Sequence, residues 1–282
     1  MNAPKQLDTA DHSRDSAGMT YVYPVVSRRA GGVSIGINLN PNNACNWHCI
    51  YCQVPNLVRG AAPAIDLALL ERELSLFLEQ VLHGDFLQTR VSEGARRIED
   101  VAFSGNGEAT SAREFPQALE VVERILDRSG LPGEVKLRLI TNGSGLDRAP
   151  VRAAIARLGG RNGEVWFKLD AGSRAAIRRI NGVDLDPELI LKRLLRCAEL
   201  CPTWVQTCVF AQDGIPPAEA ELAAWLALLD RARGKIAGVH LYGLARPSQQ
   251  AEAPRLARLP AAWLEALALR LRERGLNVCV SP

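Results

Sequence analysis

The chain contains no apolar run long enough to cross a membrane. Its opening stretch, MNAPKQLDTADHSRDSAG, is polar and lacks the hydrophobic core of a signal peptide, and no later segment strings together about 18 apolar residues. The expectation is a soluble, cytoplasmic protein with no membrane partner. Charge of one sign is also missing: Lys plus Arg number 34 against 31 Asp plus Glu, a formal net charge of +3, and the basic residues are spread along the chain. Nucleic acid is therefore permitted as a partner and not required. The densest basic pairs, Arg28–Arg29, Arg96–Arg97 and Arg178–Arg179, read first as solvated faces and second as phosphate-binding groups. An even cysteine count is absent too. Seven cysteines without an export signal argue against a disulfide framework and for reduced thiols used as ligands or core residues.

What is present is an ordinary globular composition, 47% hydrophobic and 23% charged, enough for a sizeable core. Residues 1–20 carry no hydrophobic period and read as a mobile tail. Residues 21–282 read as one domain, because no Pro/Ser linker interrupts them. Strand-like runs fall at Ser34–Asn38, Asp100–Ser104, Lys136–Thr141, Val165–Leu169, Trp204–Phe210 and Ala237–Tyr242. Between them lie helical periods over Leu67–Leu82, Phe115–Arg128, Val151–Leu158, Pro187–Leu200 and Ala218–Arg233, with Asp66 and Asp186 placed as N-caps. A last helix over Pro260–Arg274 precedes an apolar piece, Leu276–Val280, readable as an edge strand or a strap. Alternating strand and helix units require parallel strands and right-handed crossovers, in either an open doubly wound sheet or a complete or partial barrel.

The chemistry concentrates in Cys45-Asn-Trp-His-Cys49-Ile-Tyr-Cys52, just after the first expected strand. Three thiolates converge there without a fourth in the same loop. A cubane cluster has four irons, so three protein ligands would leave one iron open to a non-protein ligand. A zinc loop completed by His48 or a distant cysteine, and a redox pair of Cys49 and Cys52, are the competing readings.

Polar, glycine-rich signatures recur where the following strands end, the face on which a parallel barrel carries its active site. After the second strand comes Ser104-Gly105-Asn106-Gly107-Glu108, whose glycines admit close backbone approach and whose Glu108 offers a carboxylate to a cation. On its own this loop is equally well a simple strand-to-helix turn. Thr141-Asn142-Gly143 follows the third strand and Lys168-Leu169-Asp170-Ala171-Gly172 the fourth. Lys168 and Asp170, two residues apart, point to one side of a strand and could bind a ligand or form a structural ion pair.

The three-cysteine loop, the SGNGE segment, TNG and LDAG, in this order, resemble the radical S-adenosylmethionine (radical SAM) enzymes. Pro24–Arg29, followed by Ser34–Asn38 and the cysteine loop, is similar to the wyosine-tRNA-synthesis-like branch of that superfamily. The resemblance runs from about Tyr21 to Tyr242. It implies an α/β fold of the partial (β/α)6 barrel type, a 4Fe-4S cluster on Cys45, Cys49 and Cys52, and S-adenosyl-L-methionine as the second cofactor. It further implies Tyr51 beside the adenine, Gly105, Asn106, Gly107 and Glu108 at the methionine amino group, and Asn142 near the ribose, with Lys168 and Asp170 facing the ligand. The activity implied is reductive cleavage to a 5′-deoxyadenosyl radical, with an electron donor such as flavodoxin or ferredoxin as partner. A tRNA or other RNA base is one substrate class; a small molecule, peptide or partner protein is the other, and a non-catalytic electron carrier is a third reading. Archaeal and eukaryotic wyosine enzymes carry extra cysteines before this loop for a second cluster, and residues 1–44 here contain none. Those enzymes also use lysine chemistry towards pyruvate; of five lysines here, only Lys168 lies at a strand end beside a recognised motif.

Cys197, Cys201 and Cys208 could hold a second cluster, but the apolar helix around the first two favours core packing, and Cys279 reads as structural as well. Arg246, after the sixth strand, is a candidate for a substrate carboxylate or phosphate or an ordinary surface residue. His240 could reach the pocket or belong to the core.

Overall fold

The computed structural model describes Leu7, 17–27, 31–131 and 133–282. Most of the tail expected over 1–20, and the pair Arg28–Arg29, lie outside the described residues. Leu7 is buried among Val26, Val33 and Val91, and its backbone nitrogen donates to the Arg90 carbonyl at 2.7 Å.

Eight strands form one sheet: β1 (Val22–Ser27), β2 (Gly32–Ile37), β3 (Ile98–Phe103), β4 (Lys136–Thr141), β5 (Glu164–Lys168), β6 (Thr203–Val209), β7 (Gly238–Gly243) and β8 (Val278–Ser281). Their order in the sheet is their order in the chain. β1 runs antiparallel to β2, and each later neighbour pair is parallel. A doubly wound sheet reverses its strand order at a switch point. Here the order never reverses, so right-handed crossovers place the helices on one side and the twisted sheet curls inside them. Among the described residues β1 and β8 do not pair with each other. The result is an open, partial (β/α)6 barrel, β2 to β7, with one added strand at each edge.

Strand alternation sorts the side chains. Ile35 and Ile37, Val101 and Phe103, Leu137 and Leu139, and Val165 and Phe167 point outward and are almost fully buried. They pack on the helices α1 (Leu67–Leu82), α2 (Phe115–Arg128), α3 (Ala149–Gly159), α4 (Arg174–Asn181), α5 (Pro187–Leu200), α6 (Glu219–Ala232) and α7 (Ala261–Arg272). Each large side chain so buried contributes roughly 1.5–3 kcal/mol. The alternate positions, including Ser34, Asp100, Arg138, Lys168 and Gln206, line the cavity inside the barrel. That polar inner face is what distinguishes this barrel from a filled core.

Local signals explain the element ends. Asp66 accepts from the Leu69 nitrogen at 2.9 Å, and Asp186 from the Glu188 nitrogen at 2.9 Å, as N-caps. β1 and α4 were not among the expected elements. β1 contains Pro24, which an edge strand tolerates because its outer side needs no donor. Its start is fixed by the buried Glu73 of α1, whose carboxylate accepts from the backbone nitrogens of Thr20, Tyr21 and Val22. α4 is only eight residues long and rich in arginine, but Ser173 caps its start and Gly182, left-handed at φ 62°, ends it. The apolar piece near the C-terminus resolves as an edge strand, β8, parallel to β7.

Candidate functional site

The cysteine loop leaves β2 through a series of asparagines that tie it to its neighbours. Asn38 Oδ1 accepts from the backbone nitrogens of Asn40, at 3.0 Å, and Asn106, at 3.1 Å. Asn40 Nδ2 donates to the Ala44 carbonyl at 2.9 Å. Asn46 Oδ1 accepts from Asn142 Nδ2 at 2.9 Å, and its Nδ2 donates to Ser144 Oγ at 2.7 Å. The loops after β2, β3 and β4 thus form one hydrogen-bonded layer over the barrel mouth. A Cβ on Gly107 would lie 2.0 Å from the Ala44 carbonyl oxygen, so only glycine lets the β3 loop pass this close to the cysteine loop.

The far side of the cysteine loop is held by α4. The backbone nitrogens of His48 and Ile50 donate to the carbonyls of Asn181 and Ile180, both at 2.9 Å. From above, Ser248 Oγ donates to the Ile50 carbonyl at 2.7 Å, and Gln250 Nε2 to the Val54 carbonyl at 2.9 Å. The segment after β7 therefore closes over the mouth. Arg246 within it donates to Gln53 and lines the cavity.

Cys45, Cys49 and Cys52 all line one cavity of about 270 Å³ inside the barrel, together with Tyr51, Gly105, Asn106, Gly107, Glu108, Asn142 and Lys168. All three are free thiols. Burial pushes the Cys45 thiol up to about 11 and the Cys49 thiol up to about 12, so ligation there releases protons. Asn181 Nδ2 donates to Cys49 Sγ at 3.3 Å, the kind of donor a metal-bound thiolate accepts. Among the described residues no group of three His, Cys, Asp or Glu side chains is placed to hold a single metal ion. A cubane, whose irons occupy separate corners, takes its thiolates from points further apart, and the donor set fits it better than it fits zinc. His48 does not line the cavity.

Glu108 is 3% exposed. One oxygen accepts from Thr110 Oγ1 at 2.5 Å and Thr141 Oγ1 at 2.6 Å, and the other from the Asn142 nitrogen at 2.6 Å. It braces the ends of β3 and β4 as well as lining the cavity. Lys168 and Asp170 are not a direct ion pair. The Tyr51 hydroxyl stands between them, donating to Asp170 Oδ2 at 2.6 Å and accepting from Lys168 Nζ at 3.2 Å. Asp170 lies behind Tyr51 and outside the main cavity, where its Oδ1 accepts from the Cys208 nitrogen at 2.9 Å. Burial works against the Lys168 ammonium, but the Tyr242 and Asp170 oxygens outweigh it and raise the group above its ordinary value.

Deeper in the barrel, Arg138 bridges Asp100 and Glu164 and lies over the Trp166 ring at 4.8 Å. Ser34 completes the cluster by donating to Asp100. Burial raises the Asp100 carboxyl against the pull of Arg138. His240 lies between Trp166 and Trp204 in tilted ring contacts, with centroids 4.5 and 4.7 Å away, and does not line the cavity.

Cys197 and Cys201 are buried in the outer core, and Cys208 packs separately with Tyr51 and Phe210. The burial of Cys197 and Cys201 is what core packing expects, while Cys208 also lines the cavity of the cysteine loop. Cys279, expected to be structural like the others, is instead exposed, because β8 is an edge strand with no neighbour beyond it among the described residues. Of the basic pairs, Arg178 is paired with Asp184 and Arg179 with Glu221, while Arg97 is paired with Glu99 and Arg96 donates to the Val91 and Gln88 carbonyls. Asn38, Asn46, Asn181, Arg138 and Gln206 escaped the sequence reading. Only Asn46, inside the cysteine loop, and Asn181, just before a helix-ending glycine, had a local signal.

No family model matches the chain. Over 160 residues, 56% of the chain, it is 26% identical to a GTPase Obg of Brachyspira hyodysenteriae, and the chain spans about a fifth of that protein's length, 20%. Among solved structures it is similar to TYW1 with a lysine–pyruvate adduct bound, at TM-score 0.57 and 18% identity, covering 86% of this chain and 74% of that one. SuiB of Streptococcus suis bound to S-adenosylmethionine aligns at TM-score 0.53 and 13% identity over 88% of this chain and 46% of its own, so the chain spans less than half of SuiB. The protein anSMEcpe with bound AdoMet aligns at TM-score 0.50 and 15% identity, over 78% of this chain and 55% of that one. At these identities the likeness establishes the architecture: the chain shares its partial barrel with TYW1, SuiB and anSMEcpe.

Proposed function

We propose that the chain is a radical SAM enzyme. The observation that carries this reading is the cavity itself, which gathers Cys45, Cys49 and Cys52 of one loop with the Gly105–Glu108 loop, Asn142 and Lys168 at the mouth of a partial barrel. A reduced 4Fe-4S cluster held by the three thiolates would supply the electron that cleaves S-adenosylmethionine into methionine and a 5′-deoxyadenosyl radical, which then takes hydrogen from a substrate.

The chain's own groups divide the remaining work. Asn181 steadies Cys49, the asparagine layer fixes the loop between α4 and the β3 and β4 loops, and Gly107 keeps the backbone close. The Gly105–Glu108 loop and Asn142 would take the methionine amino group and the ribose, and Tyr51 would lie beside the adenine. The segment after β7 shields the mouth from water. A reducing, cytoplasmic setting agrees with seven free cysteines, and a flavodoxin or ferredoxin would be the reductant. The TM-level likeness to TYW1, SuiB and anSMEcpe supports the reading through architecture.

For the substrate, the wyosine-like N-terminal segment supports an RNA base, and affinity falling steeply with salt would bear that out. The ion-paired state of Arg97, Arg178 and Arg179 favours a small molecule instead. The reading as a whole is tested by anaerobic reconstitution with iron and sulfide, followed by electron paramagnetic resonance of the reduced protein with and without S-adenosylmethionine. A spectrum that changes on adding S-adenosylmethionine, and is missing from a Cys45, Cys49, Cys52 to Ala triple variant, is expected. A cluster indifferent to S-adenosylmethionine would favour an electron carrier.

A further inference from the structure

One polar group in the barrel chamber lacks the partner that burial demands, and a lysine stands beside it. Gln206 on β6 is 1% exposed, and its Nε2 has no hydrogen-bond partner. Its register neighbour on β5 is Lys168. The Lys168 ammonium donates to the Tyr51 and Tyr242 hydroxyls at 3.2 Å each. Three donors are available to an ammonium, and no carboxylate among the described residues lies within 4.0 Å of it. Both groups face the same cavity. A buried amide donor left unmet is costly, and the half-buried ammonium beside it has one more hydrogen than the two tyrosine hydroxyls take. Side by side on neighbouring parallel strands, they present two donors to one small acceptor.

We infer that Lys168 and Gln206 form a clamp for a carboxylate monoanion on the substrate. The inference rests on the radical SAM reading of the cavity and names a substrate class for it. A carboxylate has two coplanar oxygens, one for the ammonium and one for the amide. Trp166, Tyr23 and Tyr242 on the cavity wall would meet the body of the molecule. S-adenosylmethionine carries a carboxylate too, so the test separates the two sources.

The probe is acetate labelled at its carboxyl carbon, followed by NMR line broadening on the reconstituted full chain saturated with S-adenosylmethionine. The clamp predicts specific broadening that persists under S-adenosylmethionine, with affinity at least about tenfold weaker in Lys168→Met and Gln206→Glu. Gln206→Met repeats the test without adding a charge, should the glutamate disturb the fold. Acetate that binds only without S-adenosylmethionine, and is displaced by it, assigns the clamp to the cofactor and overturns the proposal. So does acetate that binds all variants equally, or none. Cluster absorbance and S-adenosylmethionine binding are read on the same samples. Their failure would sink the radical reading, while acetate broadening on the cluster-free chain would still report on the clamp.

Discussion

The Asn181 amide joins Cys49 to Asp170: its Nδ2 lies 3.3 Å from the cysteine sulfur and 2.8 Å from Asp170 Oδ2. A donor on a cluster thiolate favours the more negative, reduced state and raises the potential. Asn181→Leu is therefore expected to lower the midpoint potential of the reconstituted protein in a redox titration. In the cluster-free chain it leaves Asp170 one donor short, and urea unfolding should show a loss of about 1–3 kcal/mol.

Gly182 ends α4 directly beside the cysteine loop. Its φ of 62° disfavours any side chain, and a Cβ there would lie 2.6 Å from the His48 carbonyl oxygen. Gly182→Ala should destabilise the chain by more than the roughly 1–2 kcal/mol of the left-handed backbone alone, because the His48 carbonyl must also move. Iron bound per chain after reconstitution is expected to fall, while Gly130→Ala, with nothing near its Cβ, should leave iron content unchanged.

Tyr51→Phe removes the hydroxyl that separates Lys168 from Asp170. Each charged group then loses one buried partner, and a destabilisation of about 1–3 kcal/mol is expected. The two groups are also free to approach each other. The double variant Tyr51→Phe with Asp170→Asn should therefore depart from additivity in denaturant unfolding.

These effects arise at positions that pattern reading reaches unevenly. The outward strand residues, such as Ile35, Ile37, Val101 and Phe103, alternate with polar ones, so all six barrel strands and the crossover helices were legible. The cysteine spacing marked the loop, and the glycine-rich and TNG segments marked the neighbouring loops. β1 was hidden by its proline and α4 by its arginines, since neither shows a clean period. Asn181 and Gln206 were hidden for another reason. Each acquires its role only when a distant segment, 132 residues away for Asn181 and Cys49, is folded against it.

Asp184 anchors the start and middle of α4 through Arg174 and Arg178. Hydrogen bonds from Arg174 and then Arg178 hold its carboxyl down at about 2. A depressed folded value means that its stabilising effect is fully present above the unfolded value, about 3.9, and is lost as pH falls through about 2. The effect is small because both partners are exposed and salt screens them. NMR titration of the Asp184 carboxyl should give a midpoint near 2; an ordinary aspartate midpoint would show that the arginines do not hold it.

The central claim is that the three thiols and the loops around them cleave S-adenosylmethionine. Its most direct test is mass-spectrometric measurement of 5′-deoxyadenosine after anaerobic reconstitution, reduction and addition of S-adenosylmethionine, with the Cys45, Cys49, Cys52 to Ala variant in parallel. Release of 5′-deoxyadenosine by the native chain alone is the expected result. An intact, reducible cluster that yields none would contradict the account.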